Sequence, residues 1–214
     1  MSPAQAVVFD FNGTLSDDEP VLCELFIHLF AEHGKPLSAQ EYFDRLAGLS
    51  DPEIVRTWLG ADHPDVDAVI AERVARYTAT VADGSTVHDH VREAVRYAAG
   101  RVPLAICSGA ARAEIEPVVE AAGLAGCFRA IVSSDDVAAG KPDPEGYAKA
   151  FGLLGVGPAD GLVVEDTEAG IASAKAAGVG IVLAVKSTLE PHRLARADAL
   201  IDRVGVDVIR RYLD

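Results

Sequence analysis

Short apolar runs alternate with longer amphipathic stretches along most of this chain. The first run, AVVF, ends on Asp10-Phe11-Asn12-Gly13-Thr14-Leu15. A β-branched run bounded by Asp and Gly reads as a buried strand entering a turn. Five further runs read as strands: 102–107, 130–133, 162–165, 180–184 and the short 199–201. Between them, 111–122, 145–154, 169–177 and 190–197 carry helical periodicity. Strands alternating with helices of this length predict βαβ units and a parallel sheet, an α/β fold. Gly123, Gly155 and Gly178 stand near predicted helix ends, where a left-handed cap is common.

Residues 16–86 break the alternation. The stretches 21–32, 39–47, 52–59 and 65–82 are helical in pattern, and no good strand lies among them. A helical block inserted after the first strand predicts a small separate bundle over the mouth of the site. The expected organisation is therefore a core of residues 1–15 and 87–214 with a helical cap of 16–86.

Totals narrow the function. At 214 residues and 50% hydrophobic composition, the chain has enough apolar surface for one α/β domain and a small insert. Its net charge of -14, from 33 acidic and 19 basic residues, argues against nucleic acid as a partner. A small anionic substrate needs only one Lys, a metal ion and backbone N–H groups. Cys23, Cys107 and Cys127 are too few and scattered for a disulfide framework or zinc site, and Cys107 reads as a small core residue. The opening residues have no basic run or cleavage site, and no apolar stretch of ~18 residues is free of charge. The expectation is a cytoplasmic protein without a membrane span.

Four patches that follow predicted strands carry chemistry. Asp10 could be an oxygen nucleophile or a simple turn residue. Ser108-Gly109 offers a hydroxyl and N–H groups to a phosphoryl oxygen, or is merely a turn. Lys141, in Gly140-Lys141-Pro142-Asp143-Pro144, sits between prolines that stiffen its loop, although most loop lysines are only solvated. Glu165-Asp166 places two carboxylates side by side, which calls for a cation or for solvent. Mg²⁺ accepts one or two carboxylates with waters and phosphate oxygens. Asp166 could instead cap the following helix.

Taken in order, these patches resemble the four motifs of the haloacid dehalogenase superfamily. The carrying residues are Asp10-Phe11-Asn12-Gly13-Thr14-Leu15, Ser108-Gly109, Gly140-Lys141-Pro142-Asp143-Pro144 and the run VVEDTEAGIASAKAAG from Val163. The resemblance implies a Rossmann-like core with a helical cap. It implies a Mg²⁺-dependent phosphatase of a small phosphorylated metabolite, working through an aspartyl-phosphate on Asp10. Ser108, Gly109 and Lys141 would bind the phosphoryl group. Asp10, the Asn12 carbonyl and Asp166 would hold the metal, with Glu165 close by.

One residue departs from the pattern. Asn12 stands where such phosphatases carry the Asp that protonates the leaving alcohol and activates water. Asn does neither, and general acid–base help is worth ~10²–10⁴ in rate, so slow turnover of ordinary monoesters is expected. Three routes around this are a good leaving group, a substitute acid such as Asp17 or a cap residue, and deamidation at Asn12-Gly13. A β-phosphoglucomutase-like transferase is one alternative, which the chain resembles in its Gly48-Leu49-Ser50 loop, though Asp51 follows where such mutases usually carry an Arg that grips a second phosphate. A weakened phosphate-binding or regulatory protein is another. Lys35 lies outside the central cap loop, which opposes a Schiff-base branch. The histidines show no metal spacing and read as surface or junction residues. Arg45, Arg56 and Trp58 are cap residues without a pattern that selects among them. Asp17, Asp18 and Glu19 are expected at the hinge.

Overall fold

A computed structural model describes residues 2–214. Its centre is a six-stranded, wholly parallel sheet in the order β3-β2-β1-β4-β5-β6. The strands are β1 (Ala6–Phe9), β2 (Leu104–Cys107), β3 (Ala130–Val132), β4 (Gly161–Glu165), β5 (Ile181–Val185) and β6 (Ala199–Ile201). All six expected strands are present. Residues of β1 alternate between two apolar clusters: Ala6 and Val8 enter one, Val7 and Phe9 the other, and all are fully buried. A strand covered on both faces has no polar side to show, which is why it reads as a continuous apolar run.

Helices α1 (Glu19–Glu32), α2 (Ala39–Arg45), α3 (Asp51–Leu59) and α4 (Val66–Val81) fill the segment between β1 and α5 (Asp89–Ala99). Ser38 and Ser50 start α2 and α3 as capping boxes with Glu41 and Glu53. The first cluster runs from the sheet into this block through Phe26, Phe30, Tyr42 and Leu46. The second takes in Tyr77 and Val81 of α4. The four helices are thus packed onto the sheet layers.

The remaining helices are α6 (Arg112–Ala121), α7 (Glu145–Leu154), α8 (Glu168–Ala176) and α9 (Val206–Leu213). Gly123, Gly155 and Gly178 take φ of +69°, +71° and +79° at their expected helix ends. One expected helix is absent. Residues 190–197 form successive turns, with Arg193, Leu194 and Ala197 donating to carbonyls three residues back. So short a stretch gains little from its own helical bonds, and it follows the local i→i−3 pattern instead. Conversely, α5 and α9 pair with each other although the strand-and-helix alternation did not single them out.

Candidate active site

The chain changes direction at β1. It lays β2 and β3 on one side of that strand and β4 to β6 on the other. Such a switch opens a crevice at the carboxyl ends of the strands. Phe9 pairs with both Ile106 and Val164, so Asp10 leaves β1 between the ends of β2 and β4. Cys107 and Ser108 follow on one side, and Glu165 and Asp166 on the other.

Lys141 reaches into this crevice from the loop between β3 and α7. Its Nζ donates to Asp10 Oδ1 and to Glu165 Oε1, each at 2.5 Å. Burial alone would lower its affinity for a proton, but the two carboxylates outweigh that and hold the ammonium charged well beyond the usual range. Glu165 is saturated with donors. Besides Lys141 it accepts Tyr147 Oη at 2.9 Å, the Asp166 and Thr167 N–H groups at 2.8 and 2.9 Å, and Thr167 Oγ1 at 3.0 Å. Burial would raise its pKa, yet Lys141 and these donors keep it below the normal range. A Cβ at Gly170 would collide with the Glu165 carboxyl, so α8 approaches this closely only with glycine there.

Asp166 is not the cap of α8. Thr167 does that, its hydroxyl accepting the Gly170 N–H at 3.1 Å. Asp166 is left fully buried, accepting Thr14 Oγ1 at 3.3 Å and the Thr188 hydroxyl. The turn after β1 is built around it. Gly13 has φ +71°, and a Cβ there would strike Asp166 Oδ2 and Thr188. Burial, then Asp10 and Glu165, push the Asp166 pKa well up. Burial likewise lifts Asp10 to about 7 despite Lys141.

One oxygen each of Asp10, Glu165 and Asp166 lie within 4.8 Å of one another. Three buried carboxylates face a single ammonium, so the set is short of positive charge. An oxygen-liganded divalent cation suits that deficit. The donor chemistry therefore fits Mg²⁺, with Asp10 and Asp166 the carboxylates not already saturated.

Ser108 is buried, and its Oγ accepts the Ala110 N–H at 3.1 Å, which shapes the turn that leaves Gly109 exposed. Asn12 is adjacent to Asp10 in sequence, but its side chain turns to Asp18 and Tyr77. Asp17, a candidate substitute acid, is exposed and bound to His88 Nε2 at 2.8 Å. Its neighbour Asp18 is the buried one. Trp58 packs on Phe30, carries Arg45 over its ring and donates to the Lys35 carbonyl. Lys35 is exposed.

Two comparisons with known proteins decide the family. The profile of the haloacid dehalogenase-like hydrolases matches residues 7–184. This chain belongs to that family. It is 32% identical to validoxylamine A 7'-phosphate phosphatase of Streptomyces hygroscopicus subsp. limoneus, over 92% of each protein. It is 33% identical to the protein CbbY of Rhodobacter capsulatus, over 84% of each. Among solved structures, CbbY of Rhodobacter sphaeroides in complex with phosphate superposes with a TM-score of 0.81 at 25% identity, covering 94% of this chain and 95% of that one. As a haloacid dehalogenase-like hydrolase with phosphatase relatives, the chain is a phosphoric monoester hydrolase.

Several residues of the site escaped sequence reasoning. Thr188 and Ser187, just beyond β5, hold Asp166 and the Gly13 carbonyl. Tyr147 props Glu165 from α7. Outside the carboxylate cluster, Arg73 of α4 is buried between Asp51 of α3 and Glu114 of α6, paired to both, while its Nε has no partner among the described residues. Arg73 did leave a signal: it stands on the apolar stripe Val66, Val69, Arg73, Tyr77 and Val81, where a solvated charge has no place.

Proposed function

We propose that this hydrolase cleaves small phosphorylated metabolites in a Mg²⁺-dependent reaction, with Asp10 as the nucleophile. The observation that carries this reading is Lys141 held at 2.5 Å from Asp10 at the sheet's switch point, with Asp166 beside them. Asp10 oxygen bonds to phosphorus as the ester P–O bond breaks, and the leaving oxygen departs with the electron pair as an oxyanion that takes its proton from solvent. Water then attacks the aspartyl-phosphate, releasing inorganic phosphate and restoring the carboxylate. Lys141 neutralises the nucleophile before attack and the phosphoryl oxygens during transfer. Ser108 and the Gly109 N–H receive those oxygens at the end of β2. Asp10, Asp166 and the Asn12 carbonyl would hold the ion, which supplies charge stabilisation to the transferring group. Glu165, its oxygens engaged, serves to orient Lys141 and the loop that carries Asp166.

Residues 16–86 act as the cap over a core of 1–15 and 87–214. Asp10 is only 6% exposed and Asp166 0%, so substrate enters when the cap lifts and reacts when it closes. Two observations favour hydrolysis over a mutase. Asn12 cannot shuttle protons between sugar hydroxyls, and the residue after Gly48-Leu49-Ser50 is Asp51, paired to Arg73, which offers no cation to a second phosphate. The test is phosphate release from a panel of monoesters. Activity is expected with Mg²⁺, and it is expected to vanish with chelator and in Asp10→Ala. Release that persists in Asp10→Ala contradicts the reading.

A further inference from the structure

The amide of Asn12 is held from behind. Its Nδ2 donates to Asp18 Oδ2 at 2.9 Å and reaches Tyr77 Oη at 3.3 Å. The Tyr77 hydroxyl donates to the same Asp18 oxygen, and Asp18 Oδ1 accepts the Gly13 N–H at 3.2 Å. Asp18 and Tyr77 are both fully buried, whereas Asn12 keeps some exposure. The pattern is complementary at every atom. An ionised carboxylate only accepts, so the NH₂ edge of Asn12 must face Asp18. Oδ1, on the other edge of the amide, is thereby turned away from Asp18. No cationic side chain pairs with Asp18 among the described residues; its partners are the amide, a hydroxyl and a backbone N–H.

We propose that Asn12 and Asp18 are an exchanged pair: Asp18 positions Asn12 so that an amide oxygen, with no proton to give, faces the reacting group, and the same buried carboxylate excludes a second carboxylate at position 12. This deepens the phosphatase reading and rests on it. Asn12 Oδ1 can accept a hydrogen bond from the attacking water and so orient it. It cannot protonate a departing alkoxide. The substrates favoured are then monoesters whose leaving group departs unprotonated, aryl rather than alkyl phosphates. Deamidation is opposed by the same contacts. The Gly13 N–H that would attack the amide is already bonded to Ser16 O and Asp18, and the product would set two carboxylates together.

The pair is tested by reciprocal exchange. Wild type, Asn12→Asp and the double variant Asn12→Asp/Asp18→Asn are compared in two ways. One is melting temperature without metal. The other is phosphate release, with Mg²⁺, from acetyl phosphate, p-nitrophenyl phosphate and glycerol phosphate. Asn12→Asp alone should melt about 5 °C or more below wild type, because it brings like charges together in a buried place. The double variant should regain that loss. It should also gain about 10²-fold more on glycerol phosphate than on acetyl phosphate, since only the poor leaving group needs an acid, while any help to the attacking water is shared by both. A purely structural contact would restore melting without shifting the leaving-group dependence. The proposal is overturned if Asn12→Asp alone keeps its melting temperature and shows the full gain. It is also overturned if the double variant melts no higher than Asn12→Asp, or does not fold. Should wild type and both variants release phosphate from none of the three compounds, the phosphatase reading falls, and the melting temperatures alone then decide for or against the pair.

Discussion

Lys141 is the residue on which the site's charges balance. It touches Asp10 and Glu165 together, and no other cation is paired with either among the described residues. Replacing it with Met leaves burial unchanged but removes the charge that holds Asp10 ionised and offsets the phosphoryl oxygens. The expected cost is about 10²–10³ in kcat, in line with losing one electrostatic donor at a transition state. Arg should not rescue it, because a planar guanidinium does not fit where both contacts are 2.5 Å. Steady-state rates of Lys141→Met and Lys141→Arg check this, and near-normal turnover in either contradicts it. At this scale the sequence told unevenly. Asp10, Lys141, Glu165 and Asp166 were legible as candidates because each lies in a local motif at or beyond the end of a strand. Asp18 was not. The acidic run Asp17-Asp18-Glu19 reads as a hinge, and it takes Tyr77, far along the chain, together with Asn12 and Gly13 to make a buried acceptor of its middle member.

Among the elements, α4 ties the helical block to the sheet layers. Tyr77 reaches the loop after β1, and four residues earlier Arg73 bridges Asp51 in α3 and Glu114 in α6. Glu114 also accepts the Ala111 N–H at the start of α6, so the Arg73 bridge bears on the turn that follows Ser108. Arg73→Met leaves Glu114, 1% exposed, as an uncompensated buried charge. The expected loss is about 3–5 kcal/mol, read as a lower denaturant midpoint. Arg73→Met combined with Glu114→Leu should recover most of it, since a packed apolar pair replaces a buried ion pair at little cost. A single variant as stable as wild type would show that the bridge is dispensable. The strands and the four inserted helices were legible because their periodicity follows from burial. The turns at 190–197 were misread because an amphipathic pattern is silent about whether i→i−3 or i→i−4 bonds close it.

For the whole molecule, buried acid sets the response to pH. Burial raises Asp10 and Glu19 to about 7 and Asp18 to about 6. A carboxyl with a raised folded pKa binds more protons folded than unfolded. Its contribution to stability is complete below the unfolded value of about 4 and is lost as pH climbs toward the folded one. The metal-free protein should therefore melt progressively lower from about pH 5 to about pH 8. Mg²⁺ should raise the melting temperature more at the upper end, where Asp10 and Asp166 repel most. Melting curves with and without Mg²⁺ at the two pH values check this. A metal-independent rise in stability with pH contradicts it. The excess of acid over base was legible as composition, with a net charge of -14. Which carboxyls are sealed inside was not, because that depends on how the helical block closes over the sheet.

The central claim is that Asp10 carries the phosphoryl group, and the most direct measurement is the mass of the Asp10 peptide from a reaction with acetyl phosphate and Mg²⁺ quenched in acid during turnover. The account predicts one phosphoryl group on Asp10 in the wild type and none in Asp10→Asn. Sustained phosphate release with an unmodified Asp10 peptide, or a phosphorylated peptide elsewhere in the chain, would contradict it.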